Sequence, residues 1–169
     1  MSGVSIIIPA LNESATLGRT LRHLSLLDPP AREIIVVDGG SQDNTPEIAK
    51  AAGVTVLISD CKGRSLQMNR GAEVATGEIL CFLHADTLVP DDLVTVIEKT
   101  LADRSVTCGG FISLMAGTNA TRWGVTLHNY LKTYVGDRVG KTSVKYNVKV
   151  FGTRQHAQPD VILFETNIT

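Results

Sequence analysis

An α/β domain with a mostly parallel, doubly wound sheet is predicted by three observations. Short apolar runs recur at Val4–Ile8, Ile34–Val37, Val54–Ile58 and Ile79–Leu83. Stretches with apolar residues at helical spacing separate them, so strand and helix alternate from Val4 to about Met115. Val4–Ile8, Ile34–Val37 and Ile79–Leu83 are mostly or wholly apolar rather than alternating, as expected of strands buried on both faces.

Each element has its own local reason. Val4–Ile8 is β-branched and is expected to stop at Pro9. Asn12 or Ser14 is placed to cap the next helix, where Leu17, Leu21, Leu24 and Leu27 share a face before Pro29-Pro30 ends it. Ile34–Val37 runs into the loop Asp38-Gly39-Gly40-Ser41. Thr45-Pro46 reads as a hydroxyl cap followed by a first-turn proline, and Gly53 closes that short helix. After Val54–Ile58, residues Gly63 to Thr76 form the next helix, with Gly77 as a left-handed stop. Ile79–Leu83 ends in the polar tip His84-Ala85-Asp86, and Pro90-Asp91-Asp92 opens a helix with Leu93, Val96, Ile97 and Leu101 on one side. Asp91 and Asp92 read as helix-start acids. Ser105–Met115 is expected to be a strand, interrupted at Gly109-Gly110. Farther on, Thr121–Tyr134 has the pattern of an amphipathic helix, Val144–Val150 alternates like a half-exposed strand, and Val161–Phe164 is a further strand candidate.

The totals narrow the class. A chain of 169 residues fits one domain, with residues 116–169 an atypical C-terminal segment beyond the region 1–115. An apolar share of 43% and a charged share of 20% are those of a globular protein. A net charge of −1 gives no bias toward nucleic acid. No apolar run reaches the length of a membrane span, and no leader pattern is seen. Cys61, Cys81 and Cys108 are odd in number and widely spaced, which speaks against a disulfide framework or a zinc site. A cytoplasmic location is therefore expected, and the sequons at Asn12, Asn119 and Asn167 carry no weight there. Residues 132–154 hold Lys132, Arg138, Lys141, Lys145, Lys149 and Arg154 against Asp137 alone. Such a run is usually a solvated face, with peripheral contact to an anionic lipid or polymer as the alternative.

Ligands of open α/β sheets bind at the carboxyl ends of the strands. There this sequence has Pro9-Ala10-Leu11-Asn12-Glu13, then Asp38-Gly39-Gly40-Ser41-Gln42-Asp43-Asn44-Thr45, and then His84-Ala85-Asp86. Arg64, Gln67 and Asn69 lie on the Gly63 helix. Taken in order, with Ile6-Ile7-Ile8 and Ile34-Ile35-Val36-Val37 before the first two loops, Gly63-Arg64-Ser65-Leu66-Gln67-Met68-Asn69-Arg70-Gly71-Ala72, and Phe82-Leu83 before the tip, this resembles the family 2 glycosyltransferases of the GT-A (Rossmann-like) fold. The resemblance covers about residues 4–115.

The resemblance implies a metal-dependent, inverting transfer of sugar from a nucleoside diphosphate sugar to an acceptor that the sequence does not name. Asp38 would be the base-binding aspartate with Gly39 beside it, and Pro9, Ala10 and Glu13 would line base and ribose. The alternatives are that Asp38 caps its own Gly-Gly turn and that Glu13 is a first-turn helix acid. Arg64 would pair with the diphosphate from a helix start, the alternative being a solvated surface arginine. Asn69 joins the donor-binding set, although it and Gln67 could equally pack or fix the loop. His84-Ala85-Asp86 stands where the family has Asp-x-Asp, so Asp86 would hold Mg2+ or Mn2+ together with phosphate oxygens. His84 would contact phosphate, ligate the ion or hydrogen-bond the loop. Asp43 and Thr45 read as turn and cap residues.

The catalytic base of the family is not found here. Gly136-Asp137-Arg138 is only faintly similar to a Gly-Asp-Gln element, and Asp160 and Glu165 are isolated. The shift in character near Tyr134 raises the idea of a truncated, substituted or out-of-frame tail. A second function is therefore a catalytically inactive module that binds nucleotide-sugar. A dinucleotide-dependent oxidoreductase fits the alternation of elements, but the loop after the first strand has no G-x-G-x-x-G. A sugar nucleotidyltransferase would want a Gly-rich loop at the same place.

Overall fold

Val4, Ile6, Ile7 and Ile8 have no exposed surface, and burial on both faces makes their strand the centre of the sheet. The computed structural model describes residues 3–59, 63–103, 108–111 and 149–153. In chain order these form β1 (Val4–Ala10), α1 (Leu17–Leu24), β2 (Glu33–Asp38), α2 (Thr45–Ala51), β3 (Thr55–Ile58), α3 (Arg64–Val74), β4 (Ile79–Phe82), α4 (Leu93–Leu101), β5 (Cys108–Phe111) and β6 (Lys149–Thr153). The sheet order is β3-β2-β1-β4-β6-β5. β1 pairs in parallel with β2 and β4, and β2 with β3, whereas β6 runs antiparallel to β4. The chain divides into two compact units, 1–109 with 150–169, and 110–149. The expected helix Thr121–Tyr134, the strand candidate Val161–Phe164 and residues 144–148 lie outside the described residues.

One face of the sheet is built from Ile7, Ile35, Val37, Leu80 and Phe82 with Met68 and Ala75, and Leu57 and Ala72 pack against it. Fully burying an aliphatic side chain of this size contributes about 1.5–3 kcal/mol. α3 lies on β1 and β2 at close range. Gly71 makes this possible, since a Cβ there would run into the Ile7 side chain. α1 and α2 pack against each other. Leu17, Leu21 and Leu24 of α1 are buried, and so is Thr20, which shares their stripe.

Several expectations need correction. β1 does not stop at Pro9; it continues to Ala10, with Pro9 in register with Val37. Backbone groups of a parallel strand alternate between its two neighbours. The Ile7 carbonyl accepts from Leu83, on the β4 side, and the Ala10 carbonyl accepts from Gly39, on the β2 side. Pro9 thus faces the β4 side, where the ladder has already ended at Ile7 and Phe82, so its missing N–H interrupts no rung. Gly77 is not a left-handed stop, because α3 ends at Val74 with an extended Ala75 cap. It is glycine because a Cβ would lie 2.5 Å from the Gly3 carbonyl oxygen and from Ser5 Oγ. α1 begins later than Asn12 or Ser14, with Thr16 at its N-cap, and it ends at Leu24, ahead of the prolines. Leu27 is buried from outside the helix. Asn44 holds the α2 cap position, so Thr45 is its first residue. The strand expected over Ser105–Met115 is described only at Cys108–Phe111. Of the one expected over Val144–Val150, only Lys149 and Val150 are described, in a strand that extends to Thr153.

Candidate functional site

The order β3-β2-β1-β4 reverses direction at β1, so the carboxyl ends of β1 and β4 flank a topological switch point, where open α/β sheets hold ligands. Pro9 and Ala10 end β1, Asp38 ends the neighbouring β2, and His84-Ala85-Asp86 follows β4.

Asp38 is 2% exposed. Its Oδ2 accepts from the backbone N–H of Gly40 at 3.0 Å and of Ser41 at 2.9 Å, and its Oδ1 accepts from the Ser41 hydroxyl. The turn-capping reading of Asp38 is therefore realised in full. A carboxylate offers about four acceptor positions, and three are in use. The Ser41 hydroxyl also accepts from Asn12 N–H at 2.8 Å, while Asn12 Oδ1 accepts from Gln42 N–H at 2.8 Å. Asn12 takes part with a φ of 56°, a left-handed conformation that asparagine tolerates.

Next to this zip the loops after β1 and β2 are joined a second time. Glu13 N–H donates to Thr45 Oγ1 at 2.8 Å, and Ser14 N–H donates to Asp43 Oδ2 at 3.1 Å. Thr45 also donates to Asp43 from its backbone and its hydroxyl. Bonds from Thr45 and then Ser14 hold the Asp43 carboxyl far below the usual carboxylate range. Asp43 is thus the turn residue expected, whereas Thr45, the first residue of α2 and not its cap, serves to join the two loops. The Glu13 carboxylate is aligned by the Thr16 hydroxyl at 2.7 Å. Gln67, 4% exposed, donates from Nε2 to the carbonyls of Ala10 and Val37, both at 2.8 Å. It therefore pins the ends of β1 and β2 side by side. A Cβ on Gly39 would meet the Gln67 amide at 2.9 Å, which explains glycine there.

Arg64 is exposed in the first turn of α3, after Gly63 with a φ of 138°. Asn69 is half-buried on the same helix. No hydrogen bond or ion pair links either residue to the other candidates among the described residues. At the β4 tip, Leu83 N–H donates to the Ile7 carbonyl at 2.9 Å, and Thr87 N–H donates to the His84 carbonyl at 3.2 Å. The second bond closes a turn over Ala85 and Asp86. Ala85 is buried, His84 half-buried and Asp86 exposed. Asp92 holds the N-cap position of α4, in line with its reading as a helix-start acid. Among the described residues no three His, Cys, Asp or Glu side chains gather into a metal cluster. Asp86, a single exposed carboxylate, has the chemistry of an oxygen ligand that could share Mg2+ or Mn2+ with phosphate oxygens and water.

Two residues escaped sequence reasoning. Thr20 Oγ1 donates to the Ala85 carbonyl at 2.7 Å, and His23 Nε2 contacts the Val89 carbonyl. The available signal was position, since Thr20 falls on the leucine stripe of α1, where a hydroxyl needs a partner.

The glycosyl transferase family 2 model matches residues 5–157. Poly-beta-1,6-N-acetyl-D-glucosamine synthase of Staphylococcus epidermidis is 33% identical over 97 residues, 54% of this chain and 24% of that protein. Glucosyl-3-phosphoglycerate synthase of Mycolicibacterium smegmatis is 33% identical over 116 residues, 63% and 37% of the two chains. Glycosyltransferase AglE of Haloferax volcanii is 29% identical over 177 residues, 98% of this chain and 57% of that protein. The chain thus spans from about a quarter to little more than half of these relatives. Among solved structures, glucosyl-3-phosphoglycerate synthase of Mycobacterium tuberculosis, in complex with Mn2+, UDP and glucosyl-3-phosphoglycerate, superimposes with a TM-score of 0.63 at 24% identity, covering 90% of this chain and 57% of that one. This likeness establishes the GT-A fold. With the family match extending across most of its length, the chain belongs to glycosyl transferase family 2.

Proposed function

We propose that the chain forms the donor site of a glycosyltransferase acting on a nucleoside diphosphate sugar with Mg2+ or Mn2+, and delivering the sugar to an acceptor with inversion. The observation that carries this reading is the outward Asp86 on an anchored turn at the β1–β4 switch point. The Asp38 turn stands at the end of the adjoining β2. Asp38 keeps one acceptor position for a ring N–H, which uracil, thymine and guanine offer and cytosine and adenine do not. Pro9, Ala10, Glu13 and Gly39 line the base and ribose. Arg64, on the dipole end of α3, meets the diphosphate, with Asn69, His84 and Ala85 beside it. A divalent ion on Asp86 would neutralise charge on the departing diphosphate. Other residues must deprotonate the acceptor hydroxyl.

A second reading is a donor-binding module without turnover, since no residue of the sequence matches the catalytic base of the family. One assay separates the two. UDP-, GDP- and dTDP-sugars are added with Mn2+, and melting temperature and nucleoside diphosphate release are followed together. Stabilisation with release is expected for the enzyme, and stabilisation without release for the module. Absence of both responses removes both readings. Asp86→Ala is expected to abolish the Mn2+ dependence of the stabilisation. The basic run in 132–154 leaves room for peripheral contact with an anionic surface; among the described residues no helix is long and apolar enough to cross a membrane.

A further inference from the structure

The turn that presents Asp86 is held from a helix far away in sequence. Thr20 has no exposed surface. A helical threonine commonly returns its hydroxyl to the carbonyl one turn back. The Thr20 hydroxyl instead leaves its own helix and donates to the Ala85 carbonyl at 2.7 Å. The acceptor matters, because the Ala85 carbonyl belongs to the peptide unit that also contains the Asp86 N–H. Fixing that plane fixes the backbone from which the Asp86 carboxylate projects. One helical turn later His23 contacts the Val89 carbonyl, and beyond the helix Asp28 N–H donates to the Asp91 carbonyl at 3.1 Å. Three residues of the α1 region thus grip the segment Ala85–Asp91 by its backbone. Within the turn itself, Thr87 N–H to the His84 carbonyl is the closing bond.

We infer that Thr20 is a positioning residue for the metal-binding turn, fixing through the Ala85 carbonyl the direction in which Asp86 meets the ion. The inference rests on the donor-site reading above for the role of Asp86, whereas the brace itself does not. The Thr20 hydroxyl touches neither ion nor donor; it removes freedom from the ligand that does. Partners that orient a metal ligand typically change metal affinity by roughly ten- to a hundredfold when lost.

The test compares Thr20→Val, which keeps the shape and drops the hydroxyl, with Thr20→Ser, which keeps the hydroxyl. Calorimetry measures Mn2+ affinity in the presence of UDP, and UDP affinity without metal. Thr20→Val is expected to weaken Mn2+ at least about tenfold and to leave metal-free UDP binding unchanged, while Thr20→Ser stays within about threefold of wild type. Amide hydrogen exchange at Asp86–Leu88, read without metal, is expected to accelerate in Thr20→Val alone. Wild-type Mn2+ affinity in Thr20→Val, or equal losses in both variants, overturns the positioning role. If the wild-type protein shows no Mn2+ dependence, the metal reading fails and exchange alone decides the brace. Unchanged exchange in Thr20→Val removes the brace. Should Thr20→Val not fold, Thr20→Cys, with a weak donor of similar size, replaces it in both measurements.

Discussion

The two edges of one sheet are both rich in polar groups, yet they are organised in opposite ways. At the amino edge Glu33, Ser5, Thr76 and Gly77 close on one another. Glu33 Oε1 accepts from the Ser5 hydroxyl at 2.7 Å, from Thr76 N–H at 2.6 Å and from the Thr76 hydroxyl at 2.7 Å. Gly77 N–H donates to Ser5 Oγ at 2.9 Å, and Arg32 Nε to Thr76 Oγ1 at 3.0 Å. Every partner is internal, and the space a Cβ would need at Gly77 is taken. At the carboxyl edge most internal side-chain bonds go to backbone, shaping loops, while Arg64 and Asp86 face solvent. Polarity alone does not mark a site. The separation of groups that shape the loops from groups that face outward does.

Substitutions sharpen this contrast. The largest effect is expected for Asp38→Ala, which strands three donors of the Gly40–Ser41 turn. It should cost about 2–3 kcal/mol in urea unfolding and also abolish stabilisation by UDP-sugar. A variant that loses this stability yet still responds to UDP-sugar would reduce Asp38 to a turn former. Glu33→Gln is expected to cost about 1 kcal/mol and to leave the UDP response intact, because its bonds lie at the opposite edge.

Glu33 also gives the pH signature of that edge. Burial raises its carboxyl, but hydrogen bonds from Ser5, Thr76 and Gly77 outweigh this and hold it below the ordinary 4.5. A depressed carboxyl stabilises the fold above the unfolded value and loses that contribution as pH falls through the folded one. The wild-type melting temperature should therefore drop below pH 4.5, and Glu33→Gln should drop less steeply. Asp43 acts in the same direction, so part of the acid sensitivity survives the substitution. The smallest stability effect belongs to Arg64→Ala, expected within about 0.5 kcal/mol of wild type. Its donor affinity should nonetheless fall, and unchanged affinity would return Arg64 to the solvated surface.

What could be read from the sequence follows from how each signal is encoded. Runs such as Ile6-Ile7-Ile8 and Ile79–Phe82 are buried on both faces, so their apolar character reports directly on the sheet. The loops after them carry polar residues with no packing role, and these were legible too. Pro9 misled because a missing donor matters only where a ladder bond is required, and the end of the β4 ladder is a tertiary fact. Gly77 misled because glycine answers equally to a left-handed backbone and to a close approach. Gln67 and Thr20 spend their polar groups on carbonyls far away in sequence; the reading of Gln67 as a residue that fixes the loop holds, whereas Thr20 is hinted at only by its place on an apolar stripe. The antiparallel entry of β6 beside β4 has no local signal at all, and the family match runs through 149–153 to residue 157, past the compositional change near Tyr134.

The pairing of Phe151 with Cys81 also sets an order of events. During synthesis β4 can zip onto β1 as soon as it emerges, but its other edge waits until residues 149–153 follow. Until then four buried-type residues, Ile79 to Phe82, offer an open row of backbone donors and acceptors to any passing strand. The long sequence separation makes this closure slow relative to the β1–β2 and β1–β4 steps. Yield from expression should accordingly depend on how long that edge stays uncovered.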